Sequence, residues 1–269
     1  MNRQAILRKF APDAPLPAPW KTFVQGDAAL VPTGQTLRFV NTNTVTSRYT
    51  DAQIDDYQGL ARREFIWQPP LQMTVRARFS HPTGVLRGTA GFGFWNDPFL
   101  MTGRRMPALP RVVWFFYSSA PSYMKLDLQT PGFGWKAGTL DALRWPFFAL
   151  LPTAPLAVPL MHIGPLYRAF WPIGQRAINV SESIVPVEMT EWHLYSIYWH
   201  AENVRFTVDD NIILDCRTSP GGPLGFVMWL DNQYMVITPW GQFKYGLLDT
   251  PGEQWMEVEQ VEIIMEAQI

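Results

Sequence analysis

Residues 191–216 read EWHLYSIYWHAENVRFTVDDNIILDC, a run that predicts three successive β-strands joined by two tight turns. Side chains of a strand point alternately to its two faces, and here Trp192 to Trp199 places aromatic or apolar residues on both. The two turns carry residues that suit a chain reversal, Ala201–Asn203 and Asp209–Asn211. An antiparallel meander that is apolar on both faces belongs inside a two-sheet sandwich, so this run predicts an all-β fold.

Composition limits the classes of function. The 269 residues carry a formal net charge of −1, so the charge of the whole chain predicts binding neither to nucleic acid nor to an anionic membrane surface. Twelve Trp and seventeen Phe are enough either to fill a large sandwich core or to line a ligand cleft. The single cysteine, Cys216, excludes an intramolecular disulfide, and the four histidines show no metal-ligand spacing. No cofactor is predicted.

The N-terminal twenty residues, MNRQAILRKFAPDAPLPAPW, lack the apolar core of a secretory signal because Arg8, Lys9 and the prolines that follow interrupt it. We therefore predict a tail at residues 1–19 and a single β-sandwich domain at residues 20–269. The same observation predicts a cytoplasmic location.

Other segments add strands to this domain. Residues 71–79, LQMTVRARF, alternate between apolar and polar positions, which is typical of a strand with one face on the core. The strand at 88–95, GTAGFGFW, contains Gly91 and Gly93, and glycine inside a strand often marks the close approach of another backbone or a ligand. Residues 112–117, VVWFFY, form a continuous apolar run that predicts a central strand buried on both faces.

An apolar insertion interrupts the strand pattern at about residues 138–178. Residues 145–167 contain no Asp, Glu, Lys or Arg, but their five prolines argue against a membrane-spanning helix, because each removes a hydrogen bond that lipid does not replace. We predict short Pro-rich helices packed over the sandwich and no transmembrane span. The insertion is interpreted as a lid or pocket wall, as a patch that contacts a membrane, or as an interface in a homo-oligomer.

Four segments together resemble the concanavalin A-like lectins and glucanases, and within them the family sixteen glycoside hydrolases. They are LQMTVRARF at 71–79, GFGFWND at 91–97, EWHLYSIYWHAENVRFTVDDNIIL at 191–214 and the closing strand at 256–264. The resemblance covers about residues 65–265 apart from the insertion. It implies a two-sheet antiparallel jelly-roll sandwich that holds its ligand on a concave face.

The resemblance fails at the catalytic strand. Members of that family carry an E-x-D-x-E set on the strand after the GFGFW-type strand, where two carboxyl groups about 5 Å apart act as nucleophile and acid/base. The corresponding strand here is RVVWFFYSS at 111–119, and no Asp or Glu occurs between Asp97 and Asp127. Apolar and aromatic residues replace all three carboxylates, so the catalytic residues of this family are absent from their expected place.

We therefore expect a non-hydrolytic member of this fold that binds a glycan or an apolar small molecule on the concave face. By the resemblance, the walls of the cleft are five aromatic residues and its polar contacts are three further residues. The walls are Trp95, Trp114, Tyr117, Trp229 and Trp240, and the polar contacts are Asp97, Asn232 and Gln233. Each tryptophan also fits a purely structural place in the core.

Two alternatives stay open. The first is an enzyme, either a glycoside hydrolase-like protein with relocated carboxylates or one that acts on a hydrophobic substrate. Acids elsewhere in the chain would then have to meet at the separation of about 6.5–9.5 Å that an inverting mechanism needs; they are Asp97, Glu182, Glu188 and Asp231. The second is an interaction protein that docks on a partner through the apolar insertion.

Overall fold

A computed structural model describes residues 4–9, 16, 18–99 and 106–265 of the chain. In chain order the strands are β1 (Gln4–Lys9), β2 (Lys21–Gln25), β3 (Ala28–Thr33), β4 (Thr36–Thr44), β5 (Asp51–Asp55), β6 (Leu71–Phe79), β7 (Thr89–Trp95), β8 (Arg111–Ser118), β9 (Tyr123–Met124), β10 (Gly134–Asp141), β11 (Ser181–Ile184), β12 (His193–Trp199), β13 (Val204–Val208), β14 (Asn211–Cys216), β15 (Gly225–Asp231), β16 (Gln233–Ile237), β17 (Phe243–Leu247) and β18 (Thr250–Met265). The helices are α1 (Trp145–Leu150), α2 (Ala154–Leu160) and α3 (Gly164–Ala177), with 3₁₀ turns at Arg62–Glu64 and Leu151–Thr153.

Two large antiparallel sheets pack face to face and form the predicted jelly-roll sandwich. The front sheet has the order β11-β10-β8-β7-β15-β5-β2, and the back sheet has the order β14-β13-β12-β6-β18-β4-β3, with β1 added beside β18. A small third sheet, β17-β16-β9, lies apart from both. The all-β fold predicted from the sequence is confirmed.

The predicted meander forms one edge of the back sheet as β12, β13 and β14. Its second turn places Asp209 and Asp210 in the left-handed region, with φ of 48° and 64°, which aspartate tolerates better than most residues. Because consecutive strands pair here, local alternation and turn chemistry were sufficient to predict this part of the structure.

The hydrophobic core lies between the two sheets, and strand β8 shows how its residues divide. Val113, Phe115 and Tyr117 are buried in the core, where the Phe115 ring meets Tyr195 of β12 edge to face at 5.2 Å between ring centroids. The alternate residues of β8 point to the outer face of the front sheet. The apolar run predicted to be buried on both faces therefore supplies two separate hydrophobic clusters.

The N-terminal segment differs from the predicted tail, because residues 4–9 form strand β1 and pair with Gln260–Met265 of β18. On the same side of β18, β4 pairs only with residues 250–258. Without β1, the remaining length of β18 would present unpaired backbone groups at that edge. The sequence could not reveal this pairing, since it depends on where β4 ends.

The helical insertion begins at Trp145 and not near residue 138. Residues 138–141 complete strand β10, which pairs with both β8 and β11. Each of the three helices has a proline in its first turn, at 146, 155 and 165, where no backbone N–H is needed. Among the described residues, no helix is both long and apolar enough to cross a bilayer. Residues 145–177 are called the helical segment below.

Gly93 of β7 lies very close to strand β8. A Cβ atom at this position would lie 2.4 Å from the carbonyl oxygen of Val113, and the φ of +153° is one that side-chain-bearing residues rarely adopt. The glycine predicted to mark a close approach therefore marks the contact between β7 and β8.

We expect Gly93→Ala to lower the free energy of unfolding by at least about 2 kcal/mol, because the added methyl group overlaps the backbone of β8. Chemical denaturation measures this change. The matched control is Gly221→Ala, where a Cβ would have no neighbour within 4 Å, and its expected change is below about 0.5 kcal/mol. Equal losses in both variants would contradict the proposed close approach.

Candidate ligand-binding site

Four aromatic side chains cover the outer face of the front sheet where β7, β8 and β15 lie side by side. The rings of Trp114 and Phe116 stack at 4.9 Å between centroids, and those of Trp95 and Trp229 are within 7° of parallel at 6.4 Å. Trp114 joins the two pairs, since its ring lies 5.5 Å from that of Trp229. These four residues are called the aromatic floor.

The aromatic floor lies flat because the strand beneath it carries glycine. A Cβ atom at Gly91 would lie 3.0 Å from the Cη2 atom of Trp229, and one at Gly93 would lie 2.7 Å from the Cβ of Trp114. The two glycines therefore leave the space that the neighbouring indole side chains occupy.

Hydrogen bonds fix the orientation of two of the indoles. The Nε1–H group of Trp95 donates to the hydroxyl of Tyr57 at 2.7 Å, and that of Trp229 donates to the hydroxyl of Thr89 at 2.9 Å. Because the polar atom of each ring is satisfied from the sheet, the faces of the rings stay available for an apolar contact.

A cavity of about 420 Å³ lies between the aromatic floor and the helical segment. Its remaining walls are almost entirely apolar, and Phe147 of α1 and Trp171 of α3 are among them. The indole N–H of Trp171 donates to the backbone carbonyl of Leu126 at 2.7 Å, which ties α3 to the sandwich. The helical segment therefore forms part of the wall of the cavity.

Glu182 of β11 lines one side of the cavity, and the polar residues Tyr49, Gln53, Asp231 and Gln233 gather at the side formed by β5 and β15. Their grouping follows from strand register, because Trp229 and Asp231 of β15 lie opposite Gln53 and Asp51 of β5. A ligand at this side of the cavity would meet the aromatic floor together with these hydrogen-bonding groups.

Asp231 is held by its neighbours through a single oxygen. Its Oδ1 atom accepts hydrogen bonds from the hydroxyl of Thr89 at 2.8 Å, from the backbone N–H of Thr89 at 3.2 Å and from that of Gln233 at 3.0 Å. Burial nevertheless raises the pKa of Asp231 to about 6, since these donors offset only part of the cost of a buried charge.

Asp51 lies directly opposite Asp231, at the Cα separation of about 4.5–5.5 Å that paired residues of antiparallel strands have. Its side chain is fully buried, and among the described residues no donor is in hydrogen-bonding geometry with either carboxyl oxygen. Burial first, and the neighbouring Asp231 second, raise the pKa of Asp51 well above its usual range. This shift favours the protonated, neutral form of Asp51.

Of the eight predicted site residues, the structure brings four together at the cavity: Trp95, Trp114, Trp229 and Gln233. Tyr117 is not among them, because its odd-numbered position in β8 points into the core, where its hydroxyl donates to the carbonyl of Leu86 at 2.7 Å. The prediction treated Trp114 and Tyr117 as neighbours on one face, and their spacing of three residues in a strand excludes this.

The other three predicted residues lie outside the cavity lining. The buried amide of Asn232 accepts a hydrogen bond from the backbone N–H of Thr50 at 2.9 Å and donates to nearby carbonyls. Asp97 is also buried, and its backbone carbonyl accepts a hydrogen bond from Arg62 at 2.7 Å. Trp240 packs edge to face against Tyr167 of α3 at 5.4 Å. In these contacts all three residues hold loops or the helical segment in place.

Two of the acids considered for a relocated catalytic pair, Glu182 and Asp231, do not meet. Glu182 lines the cavity and forms an ion pair with Lys136 at 2.9 Å. It belongs to β11, which is four strand spacings from the strand of Asp231, a distance of about 19 Å. That separation is too large for two carboxyl groups to act on one glycosidic bond.

The sequence interpretation missed Asp51. Its signal is the alternation of Asp51, Gln53 and Asp55 with Ala52 and Ile54, which places polar groups on the outer face of β5 and apolar groups on the core. Within the part of the chain that the structure describes, no group of three or more His, Cys, Asp or Glu side chains could hold a metal ion.

Comparison with protein-family models and with curated proteins finds no match to this chain. Solved structures do match. An endo-β-galactosidase from Clostridium perfringens that releases GlcNAcα1-4Gal is 13% identical with a TM-score of 0.52, over 96% of this chain and 62% of that one. A lichenase from a mouse hindgut metagenome is 10% identical with a TM-score of 0.51, over 96% and 98% of the two chains. The chain has the concanavalin A-like sandwich fold.

A third similar structure, a glycosidic hydrolase, is 10% identical with a TM-score of 0.51 and covers 96% of this chain and 94% of its own. This chain spans less than two thirds of the length of the endo-β-galactosidase. At this identity the likeness concerns the fold, so the ligand must be argued from the concanavalin A-like sandwich of this chain and its own cavity.

Asp231→Asn tests the electrostatics of the carboxyl pair. The pKa of Asp231 is about 6 in the folded protein and about 3.9 in the unfolded chain. Between about pH 3.9 and pH 6 the folded protein therefore binds more protons than the unfolded chain does. The free energy of unfolding therefore falls as pH rises from about 4 to 6. Asparagine keeps the accepting Oδ1 atom but has no carboxyl group to titrate. The free energy of unfolding of the variant therefore rises relative to that of the unmodified protein as pH increases from about 4 to 6.

Chemical denaturation at a series of pH values measures this difference. Asp215→Asn, which removes a half-exposed carboxylate of the back sheet, controls for the loss of one negative charge. The raised pKa of Asp231 would be contradicted if the difference in free energy of unfolding between Asp231→Asn and the unmodified protein stayed constant from pH 4 to pH 6.

Proposed function

We propose that the protein binds an apolar small molecule, flat or chain-like, against the aromatic floor without hydrolysing it. The observation that carries the proposal is the cavity of about 420 Å³ between the aromatic floor and the helical segment. Its volume falls in the range of small-molecule pockets, about 300–1,000 Å³, and its lining is mostly apolar.

The mostly apolar lining of the cavity favours an apolar ligand over a glycan. A sugar carries hydroxyl groups around its whole ring, and each buried hydroxyl without a partner costs about 1–3 kcal/mol. In this cavity Trp114, Phe116, Phe147 and Trp171 offer such hydroxyls no acceptor. A ligand with one polar group near Gln53 avoids that cost. Burying 250 Å² of its apolar surface would contribute roughly 6 kcal/mol before the entropic costs of binding.

Trp114→Ala is expected to weaken binding of a polyene fatty acid at least about tenfold, because it removes the ring that joins the two halves of the aromatic floor. Titration with cis-parinaric acid, followed by its fluorescence, measures the affinity. The matched control is Trp192→Ala, since Trp192 lies over Arg78 at 4.8 Å on the back sheet, and it should bind as the unmodified protein does.

Two results would contradict this proposal. One is equal affinity of Trp114→Ala and Trp192→Ala for the fatty acid. The other is saturable binding of a β-glucan oligosaccharide that depends on Trp114, which would make the ligand a glycan stacked on the same rings.

A second candidate function is proton-transfer catalysis on a hydrophobic substrate, which the Asp51–Asp231 pair favours. Two carboxyl groups that share one proton provide an acid and a base at the same place. Asp231, which lines the cavity with Asp51 buried beside it, would add a proton to one carbon of an alkene and remove a proton from another. The double bond moves, atoms and charge balance, and no further reactant is consumed.

Exchange with solvent deuterium tests this second function. The protein is incubated with unsaturated fatty acids and linear isoprenoids in heavy water, and mass spectrometry detects deuterium in the lipid. Asp231→Asn should lower the exchange rate by a factor of about 10²–10⁴, while the control Asp215→Asn leaves it unchanged. Absence of exchange in the unmodified protein removes this candidate and leaves the binding proposal in place.

A further inference from the structure

The helical segment presents large apolar side chains to solvent. Trp145 is 78% exposed and Leu156 is 72% exposed. Five further apolar residues of the segment are about half exposed: Phe148, Leu151, Ile163, Phe170 and Ile173. A concentration of exposed apolar side chains of this size marks an interaction surface.

These helices also enclose an open groove of about 400 Å³. One face of α3 lines it through Phe170, Ile173, Gly174 and Ala177, which recur at the spacing of a single helical face. Residues of α1 and α2 form the opposite wall, and the lining is almost entirely apolar. The groove is thus a hydrophobic surface on the outside of the helical segment.

The groove adjoins the cavity beneath the helices. Four residues line both spaces: Phe147, Trp171, Ile178 and Pro239. These side chains therefore lie between the groove on the outside and the aromatic floor on the inside.

The charge of this region differs from that of the whole chain. Residues 142–181 contain no Asp or Glu, but they contain Arg144, Arg168 and Arg176. All three arginines are exposed, and none forms an ion pair with another described residue. The net charge of the whole chain is −1, which predicted no anionic membrane surface as a partner. Residues 142–181 nevertheless carry an excess of three positive charges.

We propose that the helical segment docks on the surface of a membrane that contains anionic lipids. Exposed Trp and Leu side chains bury apolar surface at the boundary between headgroups and acyl chains, and tryptophan favours that depth. Each arginine near an anionic surface adds about 1 kcal/mol. Since α1 and α2 have six and seven residues, the segment lies in the interface and does not cross the bilayer.

Charge also distinguishes a membrane from a second copy of this chain. In a two-fold dimer formed through the helical segment, the same patch meets itself. Arg144, Arg168 and Arg176 would then be brought near their counterparts, with no acidic residue of the segment to neutralise them. Lipid phosphates and carboxylates supply the negative charge that such a dimer lacks.

Membrane docking gives the groove a role in ligand exchange, and this step rests on the proposed function. With the groove against the bilayer, an apolar ligand passes from lipid to the cavity once the shared wall at Phe147 and Trp171 moves aside. The ligand then avoids transfer through water, which costs about 0.8 kcal/mol for each exposed CH₂ group.

Vesicle sedimentation tests the docking. The full chain is mixed with vesicles of phosphatidylcholine alone or of phosphatidylcholine with phosphatidylserine, and the bound fraction is measured. We expect stronger binding to the mixed vesicles. Trp145→Ser with Leu156→Ser should weaken it at least about tenfold. Arg144→Glu with Arg168→Glu should abolish the preference for phosphatidylserine.

The controls place the same changes elsewhere on the surface. Ile212→Ser alters a side chain of β14 that is 61% exposed, and Arg63→Glu reverses an exposed charge of the 3₁₀ turn at Arg62–Glu64. Neither should change vesicle binding, and thermal denaturation verifies that every variant is folded. Equal binding of the Trp145→Ser, Leu156→Ser variant and the Ile212→Ser control would overturn the proposal.

Two further results would also overturn it. One is absence of binding to both vesicle types. The other is a dimer in solution, seen by light scattering, that Trp145→Ser and Leu156→Ser convert to a monomer. The membrane-docking proposal and the proposed function can be tested independently, because Trp114→Ala should lose fatty-acid binding and retain vesicle binding.

Discussion

The candidate site depends on the contact between strand β7 and the rings that lie over it. Gly91 and Gly93 leave the outer face of β7 without side chains between Thr89 and Trp95, so Trp114 and Trp229 from the neighbouring strands occupy that space. A methyl group at either position would collide with the β8 backbone and with an indole side chain. The same two glycines thus set the close approach of β8 and the flat surface of the aromatic floor.

The side chains on the outer face of the front sheet differ in chemistry from those that the resemblance to family sixteen glycoside hydrolases implies. In this chain the outward positions of β8 hold Val112, Trp114 and Phe116, which contact rings and aliphatic groups. Two acidic side chains line the cavity: Glu182, which is paired with Lys136, and Asp231, which faces Asp51 of β5. The rest of the lining is mostly apolar, which suits apolar molecules.

The helical segment connects this cavity to the outside. Its inner side, with Phe147 and Trp171, closes the cavity over the aromatic floor, and its outer side exposes Trp145 and Leu156. A proline stands in the first turn of each helix, where the missing N–H is not needed. A single apolar insertion thus serves as cavity wall and as surface, and the proposals for ligand binding and membrane docking both follow from its two sides.

The sequence by itself determined the sandwich, the meander at 191–216 and the absence of the expected catalytic acids, since alternation, turn residues and residue identity are local properties. It also indicated Trp95, Trp114 and Trp229 for the cleft. Only the tertiary structure decided that Tyr117 lies in the core, that β1 pairs with β18 and that Asp51 meets Asp231. The reason is strand register: which residues oppose each other across strands distant in sequence depends on how the whole sheet assembles.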